Sequence, residues 1–329
     1  MLLISYGTRP EWLKVKPLVR LLKEKKFPLK VLFTGQHNSL MDEDFYFDLQ
    51  IKITDGPNRL DSIVASILNK EKIFTGVGKV LVQGDTASAY AVALAAFHRR
   101  KKIIHLEAGL RTYDKDNPYP EEFYRRSISC MADINLCVSE VGRNNIIAER
   151  LPGISYVVGN TILDNITKKN IRYGDKVIIT MHRRENHNLI RAWFESFEML
   201  ANKNKDLNFI LPIHPNPDVV RHIKILNTVK VVEPLGHEEL LENISECRLV
   251  ITDSGGIQEE SSFLGKKSIV CRKKTERVEG LGQFSFLCPH PNALEETFHD
   301  VNIDYRTQLP CPYGDGNASK KIYKILTEE

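Results

Sequence analysis

The chain has 329 residues, a length that suits two domains of about 150 residues each. Its 46 basic and 42 acidic residues leave a net charge of only +4 without any nucleic-acid-binding motif, which argues against a nucleic-acid partner. No apolar run reaches the roughly 20 residues that span a membrane, and no signal peptide precedes the first apolar segment. Six scattered cysteines lack disulfide or zinc spacing. We therefore expect a cytoplasmic protein with reduced thiols that binds no membrane.

Apolar segments alternate with helical patterns along the first half of the chain. Residues 2–6 read as a strand that breaks at 7–11, and an apolar helical periodicity runs from about 12 to 25. Further strands are predicted at 29–34, 80–83, 102–106, 134–138 and 156–158, and further helices at 87–98 and 140–151. Strands and helices that alternate at this spacing indicate parallel βαβ units.

The pattern begins again at residue 176. Strands are predicted at 176–181, 208–212, 229–232, 248–252 and 267–271, and helices at 189–202, 237–247 and 317–329. We therefore predict an α/β fold of two doubly wound parallel-sheet domains, 1–165 and 172–316. The link between them falls near 161–173, and we expect the C-terminal helix, 317–329, to pack back on the first domain.

Three acidic residues follow strand-like segments of the first domain: Asp85, Glu107 and Glu121. In an open parallel sheet, ligands bind at the carboxyl ends of the strands, so these carboxylates are candidates for proton transfer. The alternative is that they cap helices or form ion pairs with nearby arginines, namely Arg111, Arg125 and Arg126.

The segment 252–260 predicts an anion site. A strand leads into Ser254, Gly255 and Gly256 and then into a helix, so bare backbone N–H groups and the helix dipole favour a phosphate there. Glu260 lies far enough along the helix to reach a sugar diol. The segment lacks the Gly-Lys-Ser/Thr ending of a Walker loop. The alternative is a glycine turn used only for packing.

Basic residues at other strand ends extend this interpretation. Arg9 and Lys14 follow the first strand, and Arg277 follows the last predicted one, so all three are candidate anion ligands. His182, beside two arginines, is a candidate donor to a leaving phosphate, and His214 is a weaker one. We see no metal-ligand spacing and expect no metal.

Together these segments resemble the UDP-N-acetylglucosamine 2-epimerase family, of the non-hydrolysing bacterial type. The resemblance covers nearly the whole chain in order. It rests on Gly-Thr-Arg-Pro-Glu (7–11), Gln-Gly-Asp-Thr (83–86), His-Leu-Glu-Ala-Gly-Leu-Arg (105–111), Tyr-Pro-Glu-Glu (119–122), His-Arg-Arg-Glu-Asn (182–186), Thr-Asp-Ser-Gly-Gly-Ile-Gln-Glu-Glu (252–260), Thr-Glu-Arg (275–277) and Pro-Tyr-Gly-Asp-Gly (312–316).

The resemblance implies a GT-B fold, with two Rossmann-like domains, an active site in the cleft between them, and a homodimer. It implies interconversion of UDP-N-acetylglucosamine and UDP-N-acetylmannosamine, without a cofactor, to supply cell-surface polysaccharide synthesis. UDP would be eliminated to leave a 2-acetamidoglucal, and would add back after C2 is reprotonated on the opposite face.

The resemblance also assigns residues. The catalytic positions would be Asp85, Glu107, Glu121 and His182. The UDP-binding positions would be Arg9, Lys14, Leu235, Leu240, Ser254, Gly255, Gly256, Glu260 and Arg277, with Leu235 and Leu240 beside the uracil. A second UDP-sugar, which activates some members, would use positions that include Gln36, Arg183 and His214.

Two departures from the family pattern bear on these assignments. Leu240 stands where better-known members place a phenylalanine against the base, which would replace stacking by an aliphatic contact. The helix predicted at 61–69 offers no arginine for the second site, so we do not expect activation by substrate.

Other functions remain open from the sequence. The same C2 chemistry could act on another UDP-2-acetamido sugar, such as a diacetamido-uronate or a 6-deoxyhexosamine. A GT-B glycosyltransferase would need an acceptor site but not three carboxylates. A non-catalytic UDP-sugar sensor would bind UDP without turnover.

Overall fold

The computed structural model describes residues 1–37, 45–167, 171–213 and 216–328, apart from the side chains at 184, 185 and 218. The chain divides into two compact units. Unit 1 comprises Met1–Asn165 and Gly314–Glu329, and unit 2 comprises Ile166–Tyr313. No helix in the described ranges combines the length and apolar character needed to cross a membrane.

Unit 1 is built on a seven-stranded sheet in which the described strand pairs are parallel. Its strands are Leu2–Tyr6 (β1), Leu29–Phe33 (β2), Leu49–Gln50 (β3), Lys79–Gln83 (β4), Lys102–Ala108 (β5), Ile134–Cys137 (β6) and Ile154–Val157 (β7). Its helices are Arg9–Glu24 (α1), Arg59–Leu68 (α2), Ala87–His98 (α3), Glu121–Met131 (α4), Glu140–Ala148 (α5) and the last helix of the chain, Ala318–Glu328 (α11).

Unit 2 is built on a six-stranded sheet, again with parallel described pairs. Its strands are Lys176–Thr180 (β8), Asn208–Pro212 (β9), Lys230–Val232 (β10), Leu249–Thr252 (β11), Ser268–Val270 (β12) and Ser285–Leu287 (β13). Its helices are Ile190–Lys203 (α6), Pro217–Val220 (α7), His237–Glu246 (α8), Gly255–Phe263 (α9) and Leu294–Ile303 (α10).

Strand order places a switch point in each sheet. The orders are β3-β2-β1-β4-β5-β6-β7 and β10-β9-β8-β11-β12-β13. The chain therefore moves outward from β1 in one direction and returns beside it as β4, and β8 and β11 repeat this arrangement. Ligands of doubly wound sheets bind beyond the carboxyl ends of such strand pairs.

Apolar layers cover both faces of the sheet in unit 1. Leu2, Ile4 and Tyr6 of β1 face one buried cluster, and Leu3 faces the other. Strands covered on both faces read as continuous apolar runs, which is why β1 could be predicted with its bounds unchanged.

The prediction of two parallel α/β sheets is confirmed. Two strands, β3 and β13, were missed. The helices α4, α7 and α10 were also not predicted. The statement that the helix near 61–69 carries no arginine is wrong, because α2 begins at Arg59.

The C-terminal helix α11 belongs to unit 1 and packs on α1. Ile322 and Leu326, one turn apart on α11, are buried in the same cluster as Val15 and Leu18 of α1. The helix therefore closes the apolar face of unit 1 with residues from the far end of the chain.

We predict that Ile322→Ala lowers the free energy of unfolding of unit 1 by about 2–5 kcal/mol, because a fully buried isoleucine leaves a cavity when truncated. The chain has two tryptophans, Trp12 in unit 1 and Trp193 in unit 2. In a Trp193→Phe background, urea unfolding followed by Trp12 fluorescence reports unit 1.

The matched control is Lys324→Ala on the same helix, whose side chain is exposed. It should change the stability by no more than about 0.5 kcal/mol. Equal effects of the two substitutions would show that α11 does not stabilise unit 1.

Candidate active site

Buried Glu11 joins the loops that follow β1 and β4. Its Oε2 accepts hydrogen bonds from the Gly7 N–H at 2.9 Å and from the Thr8 hydroxyl at 2.8 Å, and its Oε1 accepts one from Thr86 at 2.8 Å. Burial raises the pKa of the Glu11 carboxyl. The sequence interpretation gave Glu11 no role, although Thr-x-x-Glu at a helix start is the signature of a capping box, here with Thr8 as the N-cap.

Glu107 occupies a strained position in β5. Its φ is +67°, in the left-handed region that residues other than glycine rarely adopt. The register between β5 and β6 shifts between Leu106 and Ala108, which marks a β-bulge at this residue. The Nζ of Lys14 lies 2.5 Å from its Oε2, and the amide of Gln83 donates to the same oxygen. Lys14, predicted as a phosphate ligand, thus contacts a predicted catalytic carboxylate.

Asp85 lies in an ion pair with Arg125 of α4. The Arg125 Nε donates to Oδ2 of Asp85 at 2.9 Å, and Arg125 also pairs with buried Glu122 at 3.0 Å. The carboxylate of Glu122 in turn accepts the backbone N–H groups of Thr112 and Tyr113. The alternative interpretation of ion pairing therefore describes Asp85 correctly, yet about a quarter of its side chain remains exposed.

All three predicted carboxylates belong to unit 1, and two of them, Asp85 and Glu107, lie close enough to buried His105 to influence its pKa. Glu121 is the first residue of α4 and stands four positions before Arg125, on the same face of that helix. Arg125 contacts Asp85, and a Cβ placed on Gly84 would be 3.9 Å from Oε2 of Glu107. Arg9, also predicted as an anion ligand, is the first residue of α1.

His105 supports the loop that carries Asp85. It is fully buried in β5, its Nε2 donates to the Gly84 carbonyl at 2.9 Å, and Ser129 lies 3.3 Å from its Nδ1. Burial lowers the pKa of His105 from 6.5 to about 4. The ring therefore serves as a neutral hydrogen-bonding group at neutral pH.

In unit 2, Ser254 is the N-cap of α9, and Gly255 and Gly256 are its first two residues. The guanidinium of Arg277 lies against Gly255, since a Cβ there would be 2.9 Å from the Arg277 Cζ. A Cβ on Gly256 would meet only the Ser254 hydroxyl, at 3.9 Å. The helix start predicted to bind an anion is thus accompanied by an arginine, and its second position is open.

A buried network holds Arg277. Its Nε donates to Glu259 at 3.0 Å, and its Nη1 donates to Glu276, which also pairs with Arg272. The hydroxyl of buried Tyr313 donates to the backbone carbonyl of Arg277 at 3.1 Å. The two carboxylates offset charge on the arginines and fix the direction of the guanidinium.

Buried Asp253 organises the loop that carries His182. It accepts the backbone N–H groups of His182 and Arg183 and, at 3.0 Å, the side-chain amide of Asn186. The Nδ1 of His182 lies 3.3 Å from its Oδ1, while the imidazole is 42% exposed. The sequence interpretation quoted Asp253 within a motif but gave it no role.

The remaining predicted ligands of the nucleoside lie around α8 and α9. Glu260 is buried on α9, and the Nε2 of His237 lies 2.7 Å from its Oε1. Leu240 of α8 packs against the core of unit 2, and Leu235 is half-buried in the loop before that helix.

Of the residues predicted for a second UDP-sugar site, Gln36 lies in unit 1 and Arg183 in unit 2. The side-chain oxygen of Gln36 accepts a hydrogen bond from the Ser88 N–H, and its backbone carbonyl accepts one from the Arg59 guanidinium. The backbone N–H of Arg183 donates to Asp253. His214 lies outside the described residues. Within the described ranges, no group of three or more His, Cys, Asp or Glu residues could hold a metal ion.

Solved structures define the fold class. The chain matches a UDP-N-acetylglucosamine 2-epimerase of Neisseria meningitidis, bound to UDP-GlcNAc, with a TM-score of 0.89, 30% identity and full coverage of both chains. It also matches a Listeria monocytogenes structure described as a UDP-N-acetylglucosamine 2-epimerase of inferred function. That match has a TM-score of 0.90 and 30% identity, and it covers 99% of this chain and 95% of the other. The predicted GT-B class, with two Rossmann-like units, is confirmed.

The sequence comparisons identify the family. A profile of the family described as UDP-N-acetylglucosamine 2-epimerase matches residues 20–327. The Campylobacter jejuni protein of that name is 34% identical over 372 aligned residues, which cover 99% of this chain and 97% of the relative. The chain belongs to the UDP-N-acetylglucosamine 2-epimerase family, whose members are isomerases that act on carbohydrates.

The His105 pKa predicts a pH dependence. The unfolded chain binds this proton near pH 6.5 and the folded chain only near pH 4. The stability that neutral His105 contributes is therefore complete above pH 6.5 and is lost as the pH falls toward 4. At about 1.4 kcal/mol per pH unit, the loss is about 3 kcal/mol.

The measurement is urea unfolding of the Trp193→Phe protein at several pH values, with and without His105→Gln. The stability difference between these two proteins should shrink by about 3 kcal/mol between pH 6.5 and 4. Exposed His98, substituted by Gln, is the control and should give a constant difference. A constant difference for His105→Gln as well would contradict the assignment.

Proposed function

We propose that this protein interconverts UDP-N-acetylglucosamine and UDP-N-acetylmannosamine by non-hydrolysing epimerisation at C2. The observation that carries the proposal is Glu107, a carboxylate held in a strained backbone conformation between Lys14 and Gln83. Strain of this kind persists where the surroundings over-determine it, typically at functional sites. Asp85 acts on the same buried histidine, His105, as Glu107 does, and Glu121 lies on α4 one turn before Arg125, the partner of Asp85.

The proposed reaction needs no redox cofactor. A carboxylate removes the C2 proton, and the C2–H electron pair forms the C1=C2 double bond. The bond from C1 to the diphosphate oxygen breaks, and UDP leaves with the electron pair of that C1–O bond. UDP then adds to C1 of the 2-acetamidoglucal while C2 takes a proton on the opposite face.

Unit 2 supplies the groups proposed to bind UDP. The N–H groups at the start of α9 and the Arg277 guanidinium favour a diphosphate. Exposed His182, held by Asp253, would donate to the leaving diphosphate. Leu235 and Leu240 would border the uracil. The Neisseria meningitidis relative bound to UDP-GlcNAc supports this substrate class.

The homodimer and the supply of cell-surface polysaccharide synthesis are implied by the family resemblance. Both stay predictions.

The proposal predicts that the protein incorporates solvent deuterium at C2 of UDP-N-acetylglucosamine in D2O, measured by NMR. Each of Asp85→Asn, Glu107→Gln and Glu121→Gln should lower the exchange rate about 10²- to 10⁴-fold, since each removes a group proposed for proton transfer. UDP affinity, measured by calorimetry, should change far less.

The control is Glu140→Gln, because the Glu140 side chain is 68% exposed on α5. It should leave exchange at the wild-type rate. Exchange at C2 of another UDP-2-acetamido sugar, but not of UDP-N-acetylglucosamine, would reassign the substrate. UDP binding without exchange on any sugar of such a panel would make the protein a sensor and contradict the proposal.

The two glycines of α9 should respond differently to alanine. Gly255→Ala displaces Arg277 and should lower both thermal stability and UDP affinity. Gly256→Ala has room in the protein and should stabilise it by up to about 1 kcal/mol, yet its methyl group should lower UDP affinity about tenfold or more by blocking the phosphate. Unchanged UDP affinity in Gly256→Ala would place the diphosphate elsewhere.

A further inference from the structure

Glu260 and His237 form a close pair that the family motifs do not assign. The Glu260 side chain is 5% exposed on α9, and the Nε2 of His237 lies 2.7 Å from its Oε1. A carboxylate removed from water is costly unless a donor reaches it. An ionised carboxylate only accepts hydrogen bonds, so we assign the imidazole Nε2–H as the donor in this contact.

The position of His237 is set by how α8 packs. Gly236 is the N-cap of this helix, and His237 is its first residue. Leu240 and Ile244, three and seven positions later, lie on the same helix face and pack against the cluster of Ile178 and Ile257. Ile257 belongs to α9, so α8 and α9 share this apolar cluster, and their packing places the imidazole of His237 beside Glu260.

A hydrogen bond at Oε1 restrains rotation of the carboxylate and so fixes where the lone pairs of both oxygens point. The proposed function places the ribose of UDP at Glu260, and the ribose diol offers two O–H donors. We propose that His237 is a positioning residue that orients the Glu260 carboxylate to accept hydrogen bonds from the ribose hydroxyls. This inference rests on the proposed function and adds to it the residue that sets recognition of ribose.

A merely structural role for His237 makes a different prediction. If the imidazole only satisfies a buried charge, its loss changes stability but does not change how UDP and 2′-deoxy-UDP compare. The readout is therefore the ratio of the two dissociation constants, measured by calorimetry on the whole protein.

Glutamine and asparagine form a matched pair at position 237. The amide nitrogen of Gln is as many bonds from Cβ as the histidine Nε2, whereas that of Asn is one bond closer. Wild type should bind UDP about 10- to 100-fold more tightly than 2′-deoxy-UDP, as expected for hydrogen bonds to a charged group. His237→Gln should keep this ratio, and His237→Asn should lower it about tenfold.

Two further proteins complete the experiment. Exposed His299 on α10, substituted by Asn, should keep the wild-type ratio. In a Glu260→Gln background, where the buried charge is absent, adding His237→Asn should change the ratio no further, since both substitutions remove the same interaction. This double variant also tests the inference if His237→Asn alone does not fold.

The outcomes separate the inference from the function on which it rests. A wild-type ratio in His237→Asn, or a further fall of the ratio in the Glu260→Gln background, overturns the role of His237 while UDP binding still supports the proposed function. Failure of the wild-type protein to bind UDP overturns both.

Discussion

A buried carboxylate must be reached by hydrogen-bond donors, and this requirement shapes the loops of both units. In unit 1, Glu11 gathers Gly7, Thr8 and Thr86, and so ties the loop after β1 to the loop after β4. In unit 2, Asp253 gathers the backbone of His182 and Arg183 and the side chain of Asn186. Each acid faces away from water, so neither is available to act on a substrate. Their contribution is to hold the surrounding loops in place, including the loop that carries His182.

The exposed groups differ from these buried acids in how they are held. Asp85 keeps part of its surface accessible beside Arg125, and His182 is more exposed still. Glu107 is nearly buried, but the bulge in β5 and its left-handed backbone bring it to Lys14 and Gln83. The ion pair between Lys14 and Glu107 changes the interpretation of Lys14. A cation beside this proposed catalytic carboxylate would offset the negative charge of the carboxylate.

Much of the fold could be predicted because it depends on local pattern. The run Leu2–Tyr6 is apolar at nearly every position because both faces of β1 are covered, and α3 was predicted with the observed bounds, Ala87–His98. The short strands β3 and β13 carry no comparable signal. They are strands because a neighbouring strand pairs with them, and their own two or three residues do not predict that pairing.

The residues of the candidate site divide in the same way. The sequence alone determined the chemistry available at each strand end: carboxylates at 85, 107 and 121, two glycines at a helix start, and a histidine beside arginines. Only the tertiary structure decided which groups meet. Lys14 meets Glu107 across 93 positions of sequence, Arg125 meets Asp85 across 40, and His237 meets Glu260 across 23. These contacts depend on strand order and helix packing, which bring residues together regardless of their separation along the chain.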